Sequence, residues 1–168
     1  MTFTPLGDQA MLAYAASEDA ALRFAAAVRS ANPLWLDDVV PAYASVGIFF
    51  DADRIRSAEV LAWLKAVRVG PARALEGSKL HAIPVCYELG LDLIRVAEHT
   101  RLNPEAIIAK HVATTYTVYA VGFVPGFPYL GYLPPELAGV PRLESPRLKV
   151  EAGSVGLTGR QPGIYPLP

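Results

Sequence analysis

Residues 122–168, GFVPGFPYLGYLPPELAGVPRLESPRLKVEAGSVGLTGRQPGIYPLP, hold eight of the chain's 13 glycines and nine of its 15 prolines, yet no Asp, His or Cys. Glycine permits positive φ and close approach of other atoms, whereas proline fixes φ and removes a backbone donor. So dense a mixture dictates loop geometry rather than ordinary packing, and shaped loops commonly serve recognition. The segment is also poor in acid–base groups, which favours a surface that positions a ligand or partner over one that carries out proton chemistry alone.

The 168 residues suffice for one domain or two small ones, and a hydrophobic content of 52% allows a sizeable core. A formal net charge of −1 provides no field that would draw in nucleic acid or an anionic membrane. The uncharged run from Val112 to Pro135 is long enough for a membrane span, but Gly122, Pro125, Gly126, Pro128, Gly131, Pro134 and Pro135 would interrupt such a helix repeatedly. The N-terminus lacks a basic start and carries Asp8 early, so no signal peptide is expected. Lone Cys86 sits in the apolar run IPVCY and is expected to be a buried, inert thiol in a reducing, cytoplasmic setting.

Strand-like and helix-like patterns alternate through the first half. AMLAYA (10–15) suits a strand, and Ser17 then caps a helix that starts with Glu18 and Asp19 and ends near Asn32–Pro33. WLDDVVPAYA (35–44) and SVGIFF (45–50) are β-prone. A second helix over about 54–68 follows, with Val60, Leu61, Leu64 and Val67 on one side, and LHAIPVCY (80–87) offers a fourth strand. The order β-α-β-β-α-β is the split βαβ plan of ferredoxin-like domains. The clearest break in hydrophobic patterning, GPARALEGSK (70–79), is the expected domain boundary.

Residues 91–99 and 104–112 read as two helices joined by TRLN, with Asn103 as cap and Pro104 in the first turn. The second offers a DNA groove only Lys110 and His111, so the pair is expected to pack on a sheet rather than read DNA. TTYTVYAVGF (114–123) is β-prone, and PRLKVEAGSVGL (146–157) alternates Arg147, Lys149 and Glu151 with Leu148, Val150 and Ala152, as a half-buried strand does.

GSVGLTGR (153–160) lacks the spacing and the Lys-Ser/Thr pair of a phosphate loop. Its amides at Gly153, Gly156 and Gly159 fit either an anion-binding nest or plain turns. His81, His99 and His111 show no metal-ligand spacing, and Ser154 does not sit in a GxSxG elbow. His111 suits both a helix-end role and a functional one. Arg147, Lys149, Arg160, Gln161 and Tyr165 supply cations and neutral hydrogen-bonding groups suited to a carboxylate or phosphate. Phe123, Phe127, Tyr129 and Tyr132 form either a wall for a ligand or partner, or a loop folded onto its own domain.

GFVPGFPYLGYL (122–133), PRLESPRLKVEAGSVGLTGRQPGIYP (141–166) and the lead-in from Ile83 to Phe123 resemble the B component of bacterial 5-oxoprolinase. This family is also called KipI or allophanate hydrolase subunit 1, and corresponds to carboxyltransferase subdomains C and D. The likeness is close over 83–166 and looser before it, where LGDQAMLAY and VVPAYASVGIFFD match. It implies an α+β protein: a ferredoxin-like α/β domain over 1–79, then a cyclophilin-like β-barrel domain over 80–168. Relatives continue beyond the position of Pro168 through a Ser-Pro-Gly-Gly-Trp segment and further strands, so the barrel is expected to be truncated here.

The resemblance further implies one component of a heteromeric complex, which works with A-like and C-like partner proteins to open 5-oxoproline to glutamate, with ATP as the cofactor of the assembled complex. The alternatives within the resemblance are a KipI-like module that inhibits a histidine kinase and a component of a urea- or allophanate-type amidohydrolase. The residues that carry over as catalytic candidates are His111, Arg147, Gln161 and Tyr165. Those that carry over as substrate- or partner-binding candidates are Phe123, Pro125, Gly126, Phe127, Tyr129, Gly153, Ser154 and Arg160, with no metal ligands. Glu151 stands where the family has a small residue or proline, and Pro162 where it often has threonine.

Overall fold

A computed structural model describes residues 1–70 and 78–167. Two compact units divide the chain, Met1–Ser78 and Lys79–Pro168. Most of the expected boundary segment, residues 71–77, lies outside the described residues.

In the first unit, strands β1 (Thr2–Pro5), β2 (Ala10–Tyr14), β3 (Leu36–Ala42) and β4 (Ser45–Phe50) form an antiparallel sheet in the order β1-β2-β4-β3. Helices α1 (Glu18–Ala31) and α2 (Ser57–Ala66) complete it. The start of α1 follows from local chemistry. Ser17 is extended, and its hydroxyl accepts from the Ala20 amide at 3.2 Å, while Glu18 and Asp19 lie at the positive end of the helix dipole. Asn32 ends the helix in the left-handed region at φ 40°.

One face of α1, carrying Ala21, Phe24, Ala25 and Val28, is buried. Those side chains meet Met11 and Ala13 from β2, Val46, Ile48 and Phe50 from β4, and Val60 and Leu64 from α2. The alternation of Val46, Ile48 and Phe50 follows the two-residue period of a strand.

The expected fourth strand, Leu80–Tyr87, is absent; these residues carry no strand and are largely exposed. The place beside β2 belongs to β1, a four-residue segment ending in Pro5 that sequence patterning does not flag. With β1 paired along β2 from Thr2↔Tyr14 to Pro5↔Met11, that edge offers no free ladder, and Pro84 removes one donor from the 80–87 run. Cys86 is therefore exposed rather than buried, with its Sγ 3.2 Å from the Glu88 carboxylate.

The second unit has helices α3 (Leu93–Thr100) and α4 (Pro104–Val112), then β5 (Val118–Val121), β6 (Pro128–Leu130), a short 3₁₀ turn at Pro135–Leu137, β7 (Val155–Thr158) and β8 (Gln161–Ile164). Asn103 caps α4 as expected, its side-chain oxygen accepting from the Ala106 amide at 2.8 Å, with Pro104 in the first turn. The strands form an antiparallel sheet in the order β5-β6-β8-β7. Val96, Ile107, Leu133, Leu137 and Val140 make a separate apolar cluster.

The expected strand over 146–157 shrinks to Val155–Thr158, and Leu148 is fully exposed instead of facing a core. A turn breaks it. The Ser154 amide donates to the Glu151 carbonyl, and Gly153 adopts φ +84°. No helix among the described residues is long and apolar enough to cross a membrane.

Phe24 is 2% exposed at the centre of the first core. Phe24→Ala should cost about 3–5 kcal/mol of stability, read as a lower urea midpoint with an unchanged m-value.

Candidate functional site

The hairpin joining β5 to β6 is built by GFVPGF (122–127). The Phe127 amide donates to the Val124 carbonyl at 3.1 Å, with Pro125 and then Gly126, at φ +81°, between them. Proline at the second position and a positive-φ glycine at the third are what a type II turn requires. The hairpin closes where the Gly122 amide donates to the Phe127 carbonyl at 3.1 Å. Phe123 also lies in the left-handed region, at φ 70°, and is 75% exposed. For an aromatic residue that conformation costs about 1–2 kcal/mol, and it sets Phe123 beside Phe127 at 5.6 Å between ring centroids.

Phe127 is the hub of this cluster. Its ring is 7% exposed and meets Tyr129 at 5.0 Å and Tyr165 at 5.2 Å, both edge to face. Beneath it lies Gly163 of β8, the register partner of Tyr129; a Cβ there would stand 2.5 Å from Phe127 Cζ. Tyr165 is fixed from its other side by backbone. Its amide donates to the Ser154 carbonyl at 3.0 Å, and its carbonyl accepts from the Gly153 amide at 2.6 Å. The Gly159 amide is likewise engaged, by the Val140 carbonyl at 3.2 Å. Of the two readings of the GSVGLTGR glycines, the geometry selects turns over an anion nest, since the Gly153 and Gly159 amides already donate within the chain.

Arg160 and Gln161 follow directly. The exposed guanidinium of Arg160 lies 4.5 Å from the centre of the Tyr132 ring, a cation–π arrangement, while its carbonyl accepts from the Leu133 amide at 2.9 Å. Gln161 opens β8, half-buried and paired with Thr158.

Arg147 stands differently. Its two terminal nitrogens each lie 2.7 Å from an oxygen of Asp92, which precedes α3, so its fork is filled by a carboxylate of the chain itself. The hydrogen bonds from Arg147 hold the Asp92 carboxyl below the usual aspartate range.

His111, in the last turn of α4, belongs to a third group. Its Nδ1 lies 2.6 Å from the Tyr87 hydroxyl, with the two rings edge to face at 5.9 Å. The Tyr116 ring lies 5.3 Å away, and its hydroxyl donates to the His111 carbonyl at 3.4 Å. Burial pushes the imidazole pKa down, so His111 is neutral at pH 7.

The twelve residues expected at the site thus fall into several settings. Phe123, Pro125, Gly126, Phe127, Tyr129, Gly153, Ser154 and Tyr165 converge on one aromatic cluster, and Arg160 and Gln161 lie on the same β-hairpin as Gly153 and Tyr165. Arg147 and His111 are tied to Asp92 and to Tyr87 and Tyr116, none of which sequence reasoning singles out.

Over its whole length, residues 1–168, the chain matches the family described as carboxyltransferase domain, subdomain C and D. The chain belongs to this family. The B component of 5-oxoprolinase from Bacillus subtilis is 49% identical over 87 residues, covering 51% of this chain and 36% of that protein. Its counterpart from Haemophilus influenzae is 54% identical over 86 residues, covering 50% and 40%. The crystal structure of TTHA0988 superposes with a TM-score of 0.79 at 36% identity, over 95% of this chain and 32% of that one. Each match therefore spans well under half of the relative.

In this carboxyltransferase C/D chain the paired residues missed from sequence share a cause. Asp92 lies 55 positions before Arg147, and Tyr87 lies 24 before His111, so no helical or strand period links them. The one available signal is chemical: a carboxylate just ahead of α3 and an isolated Tyr after an apolar run.

Gly163→Ala should destabilise the protein by about 1–3 kcal/mol, because Phe127 is enclosed and cannot swing aside; a urea titration reads this. Asp92→Asn tests the ion pair. A depressed folded-state pKa contributes stability that is fully present above the unfolded pKa and is lost as pH falls through the folded one. The stability gap between wild type and Asp92→Asn should therefore be widest near neutrality and close as pH drops through and below the carboxylate range.

Proposed function

We propose that this chain serves as the B component of a 5-oxoprolinase, opening 5-oxoproline to glutamate with ATP hydrolysis in an assembly with A-like and C-like partner proteins. The observation that carries the reading is the identity of about half the residues, over half of this chain, to two proteins named as that component. The substrate is a small planar lactam bearing one carboxylate, and the site chemistry suits both features. The edge-to-face rings of Phe123, Phe127, Tyr129 and Tyr165, with Phe123 exposed beside the enclosed Phe127, supply an angled apolar wall for the lactam.

Arg160, braced on Tyr132, is the cation for the substrate carboxylate, and Gln161 next to it offers an amide to the ring. Arg147 passes to a supporting role, since a substrate would have to displace Asp92 from its fork. Neutral His111, held by Tyr87 and Tyr116 in a group of its own, is assigned in this reading as a hydrogen-bond partner for a substrate oxygen and not as part of the aromatic wall. The engaged amides of Gly153 and Gly159 do not offer a phosphate cradle, so this reading does not place ATP on the 153–160 turns. In this reading the β5–β8 sheet is part of the cyclophilin-like barrel of the family, whose closure needs strands beside β5 and β7 in addition to the four described.

Assembled with its A-like and C-like partners, the chain should support ATP-dependent glutamate release from 5-oxoproline. The Arg160→Ala and Gln161→Ala double variant should lower kcat/KM by about 10- to 100-fold, the loss expected when a charge-assisted hydrogen bond is removed. Full activity in that variant would remove the site assignment, and no glutamate from the wild-type assembly would remove the function.

A further inference from the structure

His111 is the one site candidate whose chemistry depends on where a proton sits. A neutral imidazole carries its hydrogen on either Nδ1 or Nε2, and the two tautomers present opposite hydrogen-bonding faces to a ligand. The neighbour of Nδ1 decides between them. Tyr87 Oη lies 2.6 Å away, at the short end of the hydrogen-bond range. Two arrangements are formally open: hydroxyl donating to nitrogen, or ring N–H donating to oxygen. A phenol, with a pKa of about 10, is a far stronger acid than a neutral imidazole N–H, and the imidazole nitrogen is a far stronger base than a phenol oxygen. The phenol O–H is therefore the better donor and the imidazole nitrogen the better acceptor, and the bond runs from Tyr87 to Nδ1.

We propose that Tyr87 is a positioning residue for His111: its hydroxyl, donated to Nδ1, holds the imidazole as the Nε2-protonated tautomer, so that the ring presents Nε2–H as its single donor. The chemical class such a donor serves is a carbonyl or carboxylate oxygen. Two further contacts restrict the ring's orientation, since Tyr87 meets it edge on at 85° and Tyr116 lies against it at 38° while anchoring to the His111 carbonyl. Burial supports the same state by raising the Tyr87 pKa and lowering that of His111, keeping both neutral. The adjacent cation, Lys110, is engaged by Glu136 at 2.7 Å. The role in catalysis rests on the function proposed above, whereas the tautomer does not.

The test begins on the isolated 168-residue chain, labelled with nitrogen-15, by long-range proton–nitrogen spectra of the imidazoles near neutral pH, with His111→Gln identifying the resonance. His111 should show an unprotonated Nδ1 and a protonated Nε2, and Tyr87→Phe should shift it toward a mixture of both tautomers. A protonated Nδ1 in the wild type, or an unchanged spectrum in Tyr87→Phe, would overturn the proposal. In the assembled enzyme Tyr87→Phe should then lower kcat by about tenfold or more, with a smaller change in KM. Full activity of His111→Gln alongside the expected spectra would sink the catalytic role of His111 and leave the tautomer assignment intact.

Discussion

The ring of Phe127 lies where it does only because position 163 carries no side chain. With the Gly163 Cα beneath its edge, the ring fills the space that any other residue's Cβ would claim, and it becomes the common contact of Phe123, Tyr129 and Tyr165. Tyr129 and Gly163 are also the register pair that joins β6 to β8. One close approach thus couples the sheet, the type II turn at Val124–Phe127 and the aromatic surface. Pro125, Gly126 and Gly163 are accounted for by this coupling, since the turn needs a proline and a positive-φ glycine, and the ring needs an empty neighbour.

Around this cluster the helices of the second unit are bound to irregular backbone by polar contacts. Arg147 grips Asp92 ahead of α3, Arg95 within α3 donates to the carbonyls of Pro141 and Arg142, and Lys110 of α4 pairs with Glu136. Each is solvent-exposed and energetically modest. Their value is geometric, because the long connection from Val140 to Ser154 contains no strand and takes its course from such anchors. The apolar cluster of Val96, Ile107, Leu133, Leu137 and Val140 supplies the stability that these contacts do not.

Legibility from sequence tracks the range of the deciding interaction. Helices α1 and α4 are readable because Ser17 and Asn103 cap them through bonds spanning three residues. The strands expected at 80–87 and 146–154 do not form because β propensity states only that a segment suits a sheet, not that an edge is free to receive it. Beside β2 the edge goes to Thr2–Pro5, a segment too short to stand out. At 146–154 the pull of Asp92 on Arg147 and the turn at Gly153 override an alternating pattern. Cys86, without a strand to bury it, stays at the surface.

The site divides in the same way. The sequence by itself determined the loop character of GFVPGF, because proline and glycine a few positions apart limit the backbone in any context, and it determined the family through its two long motifs. Only the tertiary structure decided that Arg147 is already occupied, that the Gly153 and Gly159 amides are engaged, and that His111 faces Tyr87. Those outcomes depend on which partner reaches a group first across tens of residues, and that is a property of the packed chain rather than of any local pattern.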